Sequence, residues 1–226
     1  MNMKNKILIF LMVSAFTVLI LYLFRNQVWG EPESQIVKTQ VSNIENENQS
    51  YSFKNLIGSK WVNQKDNSKS AELGFIIDGD IKETKGFFEK FDIVFKVAEG
   101  NAKEAKMKVS IDVSSINTEN TIRDKALMES DFFNQETYPF ITYHSKKIQI
   151  KKDQITTDGS LELMGMKSDF SFNFEHKGVL ENDQGIGVAI FEGEFTFDRT
   201  KFGMEHVTSV GDSVKMYFYC ELVEAK

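Results

Sequence analysis

From Lys60 onward apolar and polar residues alternate, and this period of two restricts the chain to half-buried strands. Ala71, Leu73, Phe75 and Ile77 are interleaved with Glu72, Gly74 and Asp78, and Phe91, Ile93, Phe95 and Val97 with Asp92 and Lys96. Met107, Val109, Ile111 and Val113 alternate with Lys108, Ser110 and Asp112. Phe170, Phe172 and Phe174 do so with Asp169, Ser171, Asn173 and Glu175, and Val214, Met216, Phe218, Cys220 and Leu222 with Lys215, Tyr217 and Glu221. At Val188 and Ile190 the apolar phase slips to Phe191, Gly193, Phe195 and Phe197, which suggests a β-bulge. Weaker runs occupy residues 140–150 and 155–163. One wet face on each strand favours antiparallel pairing. The expected fold is all-β: an eight-stranded antiparallel barrel, whose interior at that strand number is either packed solid or holds one small ligand.

One segment departs from the alternation. Residues 119–130 place Ile122, Ala126 and Leu127 against Arg123, Asp124, Lys125 and Glu129 with helical spacing. This predicts one helix inserted after the third or fourth strand, capped by Thr118 or Asn117.

The N-terminal part has a different constitution. Ile7 to Phe24 is uncharged and interrupted only by Ser14 and Thr17. As a helix it would reach roughly 27 Å, near the hydrocarbon thickness of a bilayer. Lys4 and Lys6 precede it, which orients that end towards the cytoplasm and everything downstream outwards. Two readings stand: an uncleaved anchor or a cleaved signal peptide. The length of the run and the lack of a following Ala-x-Ala site favour the anchor. No cysteine follows the run to carry a lipid. Residues 25–58 are rich in Asn, Gln, Ser and Glu and read as a flexible polar tether. The expected organisation is therefore a leader or anchor (1–24), a tether (25–58) and a barrel domain (59–226). The barrel domain would lie on the periplasmic or extracellular side of a cell membrane.

Charge and rare residues exclude several function classes. The formal net charge is −6 with no Lys/Arg block, so a phosphate-backbone footprint is missing and no nucleic-acid partner is expected. A single cysteine and three dispersed histidines (His144, His176, His206) give little from which to build a disulfide or a metal centre. No cofactor is expected. No Gly-x-Ser-x-Gly elbow, phosphate loop or His-Glu-x-x-His motif is present. His144 and Ser145, adjacent on a strand, point to opposite faces. The expectation is a protein that is not an enzyme.

A set of short motifs then falls into order. Ser114-Ser115-Ile116-Asn117-Thr118 is followed by Arg123-Asp124-Lys125, Ser130-Asp131-Phe132-Phe133, Tyr138-Pro139 and Ile141-Thr142-Tyr143-His144-Ser145. Gly86-Phe87-Phe88-Glu89-Lys90-Phe91 lies upstream. Gly159-Ser160-Leu161-Glu162-Leu163-Met164-Gly165, Phe197-Asp198-Arg199-Thr200-Lys201-Phe202-Gly203 and Val210-Gly211-Asp212-Ser213-Val214 lie downstream. Together they resemble the YceI-like family over roughly residues 60–225. The resemblance implies an exported, lipocalin-like barrel associated with polyisoprenoid binding. It also implies that strand runs through Asp158-Gly159, although Asp-Gly alone reads as a turn. The sequence departs from the pattern at Asp66-Asn67-Ser68, at Ala126, where many relatives carry His, and at Met166-Lys167-Ser168. The first two departures remove histidines through which the family would make polar contacts, the third replaces a usual Thr-Lys pair, and the apolar positions stay intact.

Candidate ligand-lining residues are Phe75, Phe95, Met107, Ile111, Phe133, Phe172, Phe191, Met216 and Phe218, each of which would otherwise be core. Met and Phe suit a long alkyl or isoprenoid chain that offers no polar anchor. Arg123 is either a tie between helix and barrel or a bidentate contact for an anionic head group. It cannot face the same way as its neighbour Asp124. Asp131 reads as a cap or turn residue, Asp78-Gly79-Asp80 as a hairpin turn rather than a metal loop, and Cys220 as a small buried hydrophobe. The functional expectation is a lipid-binding module for a polyisoprenoid or other long-chain amphiphile, tied to the membrane by its N-terminal helix. An interaction domain with a filled core and a hydrolase or isomerase acting in the pocket are the alternatives.

Overall fold

A computed structural model describes residues 36, 38, 53–64, 70–79, 82–182 and 184–225. The apolar stretch 7–24 lies outside them. Among the described residues no helix is long and apolar enough to cross a membrane.

The alternating runs form one antiparallel sheet of 11 strands. In chain order these are β1 (Lys60–Val62), β2 (Ala71–Gly79), β3 (Thr84–Phe88), β4 (Phe91–Ala98), β5 (Asn101–Asp112) and β6 (Ile116–Asn117). After helix α1 (Thr121–Met128) come β7 (Phe140–Lys151), β8 (Gln154–Leu163), β9 (Met166–Glu181), β10 (Gly187–Asp198) and β11 (Val210–Glu224). Strand β1 pairs with both β4 and β11, so β1-β4-β5-β7-β8-β9-β10-β11 is a closed ring of eight. The count matches the expected barrel; the membership differs. Strand β2, one of the eight expected members, instead pairs with β11 below the β1 contact and continues the sheet through β3 to β6. The closing member is β1, around Trp61, which is 2% exposed.

Residues 53–58, tether by composition, belong to the barrel. Phe53 and Leu56 sit on a 3-10 turn, are 6% and 0% exposed, and cap the end of the barrel near Trp61. From the tether proper, Ile36 packs on the outer wall against Leu180, Ile190 and Tyr219, and Lys38 Nζ stands 5.1 Å from the centre of the Tyr219 ring.

The slip at Val188/Ile190 has two sources. Pairing of β9 with β10 shifts between Ile190 and Phe191, leaving Lys177 as the extra residue, so the bulge is present. Yet β10 keeps one inward phase, with Ala189 and Phe191 in the main core. Val188 and Ile190 lie on the outer face, where Ile190 is shielded in the small cluster that Ile36 joins.

Helix α1 begins later than expected. Its cap is Asn120, whose side chain accepts from the Ile122 and Arg123 backbone N–H groups, rather than Thr118 or Asn117. Strand β8 does run through Asp158-Gly159, and Gly159 is required there: a Cβ would lie 2.4 Å from the Tyr143 hydroxyl. Asp78 and Gly79 are the last residues of β2, and Asp80 lies outside the described residues.

Candidate functional site

The inward side chains of the ring do not meet. They enclose a cavity of about 270 Å³, where a void for a single water needs only about 10–15 Å³. Close-packed interiors hold few voids above that size. A second observation agrees: Phe170, Phe172, Phe195, Phe197 and Phe218 point inwards yet are only half-buried. The premise of the filled-core alternative is thereby removed.

All nine sequence-derived lining residues reach this cavity: Phe75, Phe95, Met107, Ile111, Phe133, Phe172, Phe191, Met216 and Phe218. Strand alternation explains why, since each lies on the inward phase of β2, β4, β5, β9, β10 or β11, while Phe133 comes from the loop after α1. The aromatic wall is continuous. Phe172 lies 4.7 Å from Phe195 and 6.4 Å from Phe218, centroid to centroid. Gly193 makes this possible, because a Cβ there would sit 2.8 Å from Phe174 and 2.9 Å from Phe218.

Few polar side chains reach the lining: Thr84, Arg123, Tyr143 and Arg199. Tyr143 and Thr157 share a hydrogen bond of 2.8 Å between their hydroxyls, and burial raises the Tyr143 phenol above its ordinary range. Arg199 was not anticipated, although it lies in the Phe197–Gly203 motif. It is 2% exposed. Its guanidinium donates to the carbonyls of Gly211, Glu205 and Val210 and to Asp212 Oδ1, pinning the loop between β10 and β11. Its bonding capacity is therefore turned towards protein.

Arg123 is the exception. Its Nε donates to the Thr118 hydroxyl and its Nη2 to the Thr118 carbonyl, both at 2.8 Å. Asp124 accepts from the Thr118 backbone N–H at 2.9 Å and from its hydroxyl. The expectation that neighbours Arg123 and Asp124 diverge is thus incorrect: both reach back to the residue before the helix, because helical side chains lean towards the N-terminus. Arg123 is at once a tie between helix and barrel and part of the cavity wall. Two of its five N–H donors are engaged.

The mouth of the cavity lies at the α1 end of the barrel, where exposed Ala126 is among the lining residues. Strands β5, β8 and β10 end there, and β7, β9 and β11 begin there, as their antiparallel registers require. Ala126 of α1 is both exposed and cavity-lining, so the departure from the family's His falls at the opening. Buried Phe53, Leu56 and Trp61 close the other end.

Of the other candidates, Cys220 lines the cavity wall and the rest lie outside it. His144 and Asp131 are exposed, and Ser145 Oγ accepts from the Met107 backbone. Cys220 is 1% exposed, and burial pushes its thiol well above the ordinary range. Among the described residues no three His, Cys, Asp or Glu side chains are grouped for a metal.

Known proteins share this architecture. A UPF0312 protein of Pseudomonas aeruginosa PAO1 is 31% identical over 120 residues, 53% of this chain and 63% of its own length. Protein YceI of Escherichia coli is 32% identical over 109 residues, 48% of this chain and 57% of its own. The chain thus spans less than two thirds of the length of either curated relative. Among solved structures, a Campylobacter jejuni YceI protein superposes with TM-score 0.58 at 26% identity, covering 65% of this chain and 88% of that one. A polyisoprenoid binding domain from Saccharophagus degradans, implicated in plant cell wall breakdown, shares the fold at TM-score 0.57 and 12% identity, over 74% of this chain and 99% of that one. The profile of the YceI-like domain matches residues 61–222, the whole span from Trp61 in the closing strand to Leu222 in β11, and the chain belongs to the YceI-like family.

Proposed function

We propose that this chain is an exported lipid-binding protein that holds a polyisoprenoid or similar long apolar chain inside its barrel, without a catalytic step. The observation that carries the reading is the cavity of about 270 Å³, lined almost throughout by Phe, Met, Ile, Leu and Val. Such a wall rewards burial of an alkyl chain at about 25 cal/mol per Å² and gives a polar substrate nothing to bond. The polar groups on the wall point the same way. Tyr143 is bonded to Thr157 and Arg199 to its own loop, which leaves Arg123, near the mouth, for a head group. Two further facts lend support: the fold is shared with a domain named for polyisoprenoid binding, and the sequence carries an apolar stretch at 7–24 behind Lys4 and Lys6. That stretch serves as an uncleaved membrane anchor, with the barrel on the outer side of the cell membrane.

Mass spectrometry of lipid extracted from the purified full chain tests the reading. A long-chain isoprenoid or related amphiphile near one equivalent is expected. A lipid-free barrel that takes up none from isoprenoid-containing vesicles would overturn it.

A further inference from the structure

Large apolar side chains exposed among the described residues are few: Ile122 at 81%, Phe140 at 54%, Met166 at 47% and Ile57 at 37%. Single exposed apolar residues are ordinary on soluble surfaces. Their placement here is not. Ile57 follows the 3-10 turn that caps the closed end, whereas the other three stand at the mouth. Ile122 lies on α1, Phe140 begins β7, and Met166 begins β9 after the tight Met164-Gly165 turn. These elements form one rim. Gly165 lies under the Tyr138 ring and Gly203 under the Met166 sulfur, as the contacts that a Cβ would make at each position demonstrate. None of the three lines the cavity, so facing the cargo does not explain their exposure.

We propose that this rim is a bilayer-docking surface, with Ile122, Phe140 and Met166 entering the outer edge of the hydrocarbon so that the cavity opens against the membrane. The inference rests on the lipid-binding reading above, since an apolar cargo has to enter and leave without crossing water. Charge at the rim identifies the kind of surface. Lys125 and Lys201 are exposed, with Lys201 near enough to Asp198 to add to the Thr200 hydrogen bonds that lower its carboxyl, and Glu129, Asp131 and Glu136 share the same end. Opposite charges so interspersed neither select an anionic surface nor suit an acidic protein. The attachment is therefore apolar, and a neutral phosphatidylcholine bilayer suffices. Loss of an exposed Ile, Phe and Met from such a contact weakens it by roughly tenfold or more.

The test uses the full chain reconstituted in phosphatidylcholine vesicles, carrying a single new cysteine as Ile122→Cys, Met166→Cys or, in the β4–β5 turn at the closed end, Glu99→Cys. Native Cys220 lines the cavity, so each variant also carries Cys220→Ala and the thiol-reactive environment-sensitive dye reports the new cysteine alone. Doxyl-labelled phosphatidylcholine should quench the dye at 122 and 166 and leave it bright at 99. Equal quenching at all three positions, none at 122 and 166, or a signal that tracks protein density and so reports a second copy, each overturns the docking surface. In parallel, the combined Ile122→Ser, Phe140→Ser and Met166→Ser variant should retain extracted lipid by mass spectrometry while its exchange with vesicles slows about tenfold. Unchanged exchange also refutes the proposal. Cargo in the wild-type protein with unquenched dyes on the rim-cysteine variants defeats the docking inference alone, whereas wild-type protein without cargo defeats the reading beneath it.

Discussion

Arg123 holds Thr118 at two points, donating from Nε to its hydroxyl and from Nη2 to its carbonyl, five residues back along the chain. The hydroxyl in turn donates to Asp124, so the start of α1 and the entry to the cavity are one bonded unit. Arg123→Ala should then do two things. It removes two charged hydrogen bonds, a loss of about 1–3 kcal/mol in chemical denaturation. It also strips the mouth of its free N–H donors. Binding of a pyrophosphate- or carboxylate-headed lipid should fall more than binding of a neutral one of equal chain length. Equal losses for both lipids would leave Arg123 a structural tie only.

Met216 tests whether the cavity is ligand space. It lies on the inward phase of β11 between Val214 and Phe218, at the cavity wall. Overpacking a dense core costs about 1–3 kcal/mol, but Met216→Trp here places apolar bulk into existing void. Thermal unfolding should show unchanged or raised stability, and lipid uptake should be lost. A clear drop in stability would mean that the wall cannot yield and that the void is not available to a chain.

Much of this architecture was legible because period two over eight or more residues is hard to mistake. Strands β2, β4, β5, β9 and β11 announced themselves in that way, β10 with a slip of phase, and β7 and β8 as weaker runs. Strands β1, with 3 residues, and β6, with 2, are too short to display a period, so the ring's closing member went unread. Strand β3 showed only through the glycine–aromatic motif at Gly86-Phe87-Phe88. The lining followed from alternation alone. The void did not, since Phe and Met on an inward phase look the same whether they touch or stand apart. Nor did the convergence of Arg123 and Asp124 on Thr118, which depends on how far two side chains reach back rather than on which way each leaves the helix. Arg199 was hidden for another reason: its four acceptors lie 6 to 13 residues away, and three of them are backbone carbonyls.

The leader lends itself to a direct check. With residues 7–24 as an uncleaved anchor, the full-length chain sediments with membranes and resists extraction by alkaline carbonate. Proteolysis within residues 31–50 should release a soluble barrel. A mature N-terminus near Glu31 by sequencing would show that the leader is removed instead.

His176 offers the sharpest test of what burial does in this barrel. It is 2% exposed, with its ring 5.9 Å from Phe53 and 5.2 Å from Phe191 between centroids. Neither ring nitrogen makes a hydrogen bond of regular geometry among the described residues, although the Gly178 backbone bears on the ring. Burial lowers its pKa to about 4, with the charge of Asp153 and the Gly178 backbone acting in the opposite direction. An unfolded chain takes up a proton at this histidine below about pH 6.5, and the native barrel does not until about pH 4. The unfolded state therefore binds more protons between these values. Stability from this group is complete above pH 6.5 and declines as pH falls towards 4, by at most about 3 kcal/mol. His176→Phe replaces two poorly satisfied nitrogens by a ring of similar shape among aromatic neighbours. Urea denaturation should place the variant about 1–3 kcal/mol above wild type at pH 7, and the difference should widen as pH approaches 4. A variant that is less stable at neutral pH, or a gap that does not change between pH 7 and 4, would show that His176 bonds to something in the folded protein and is not held there neutral by burial.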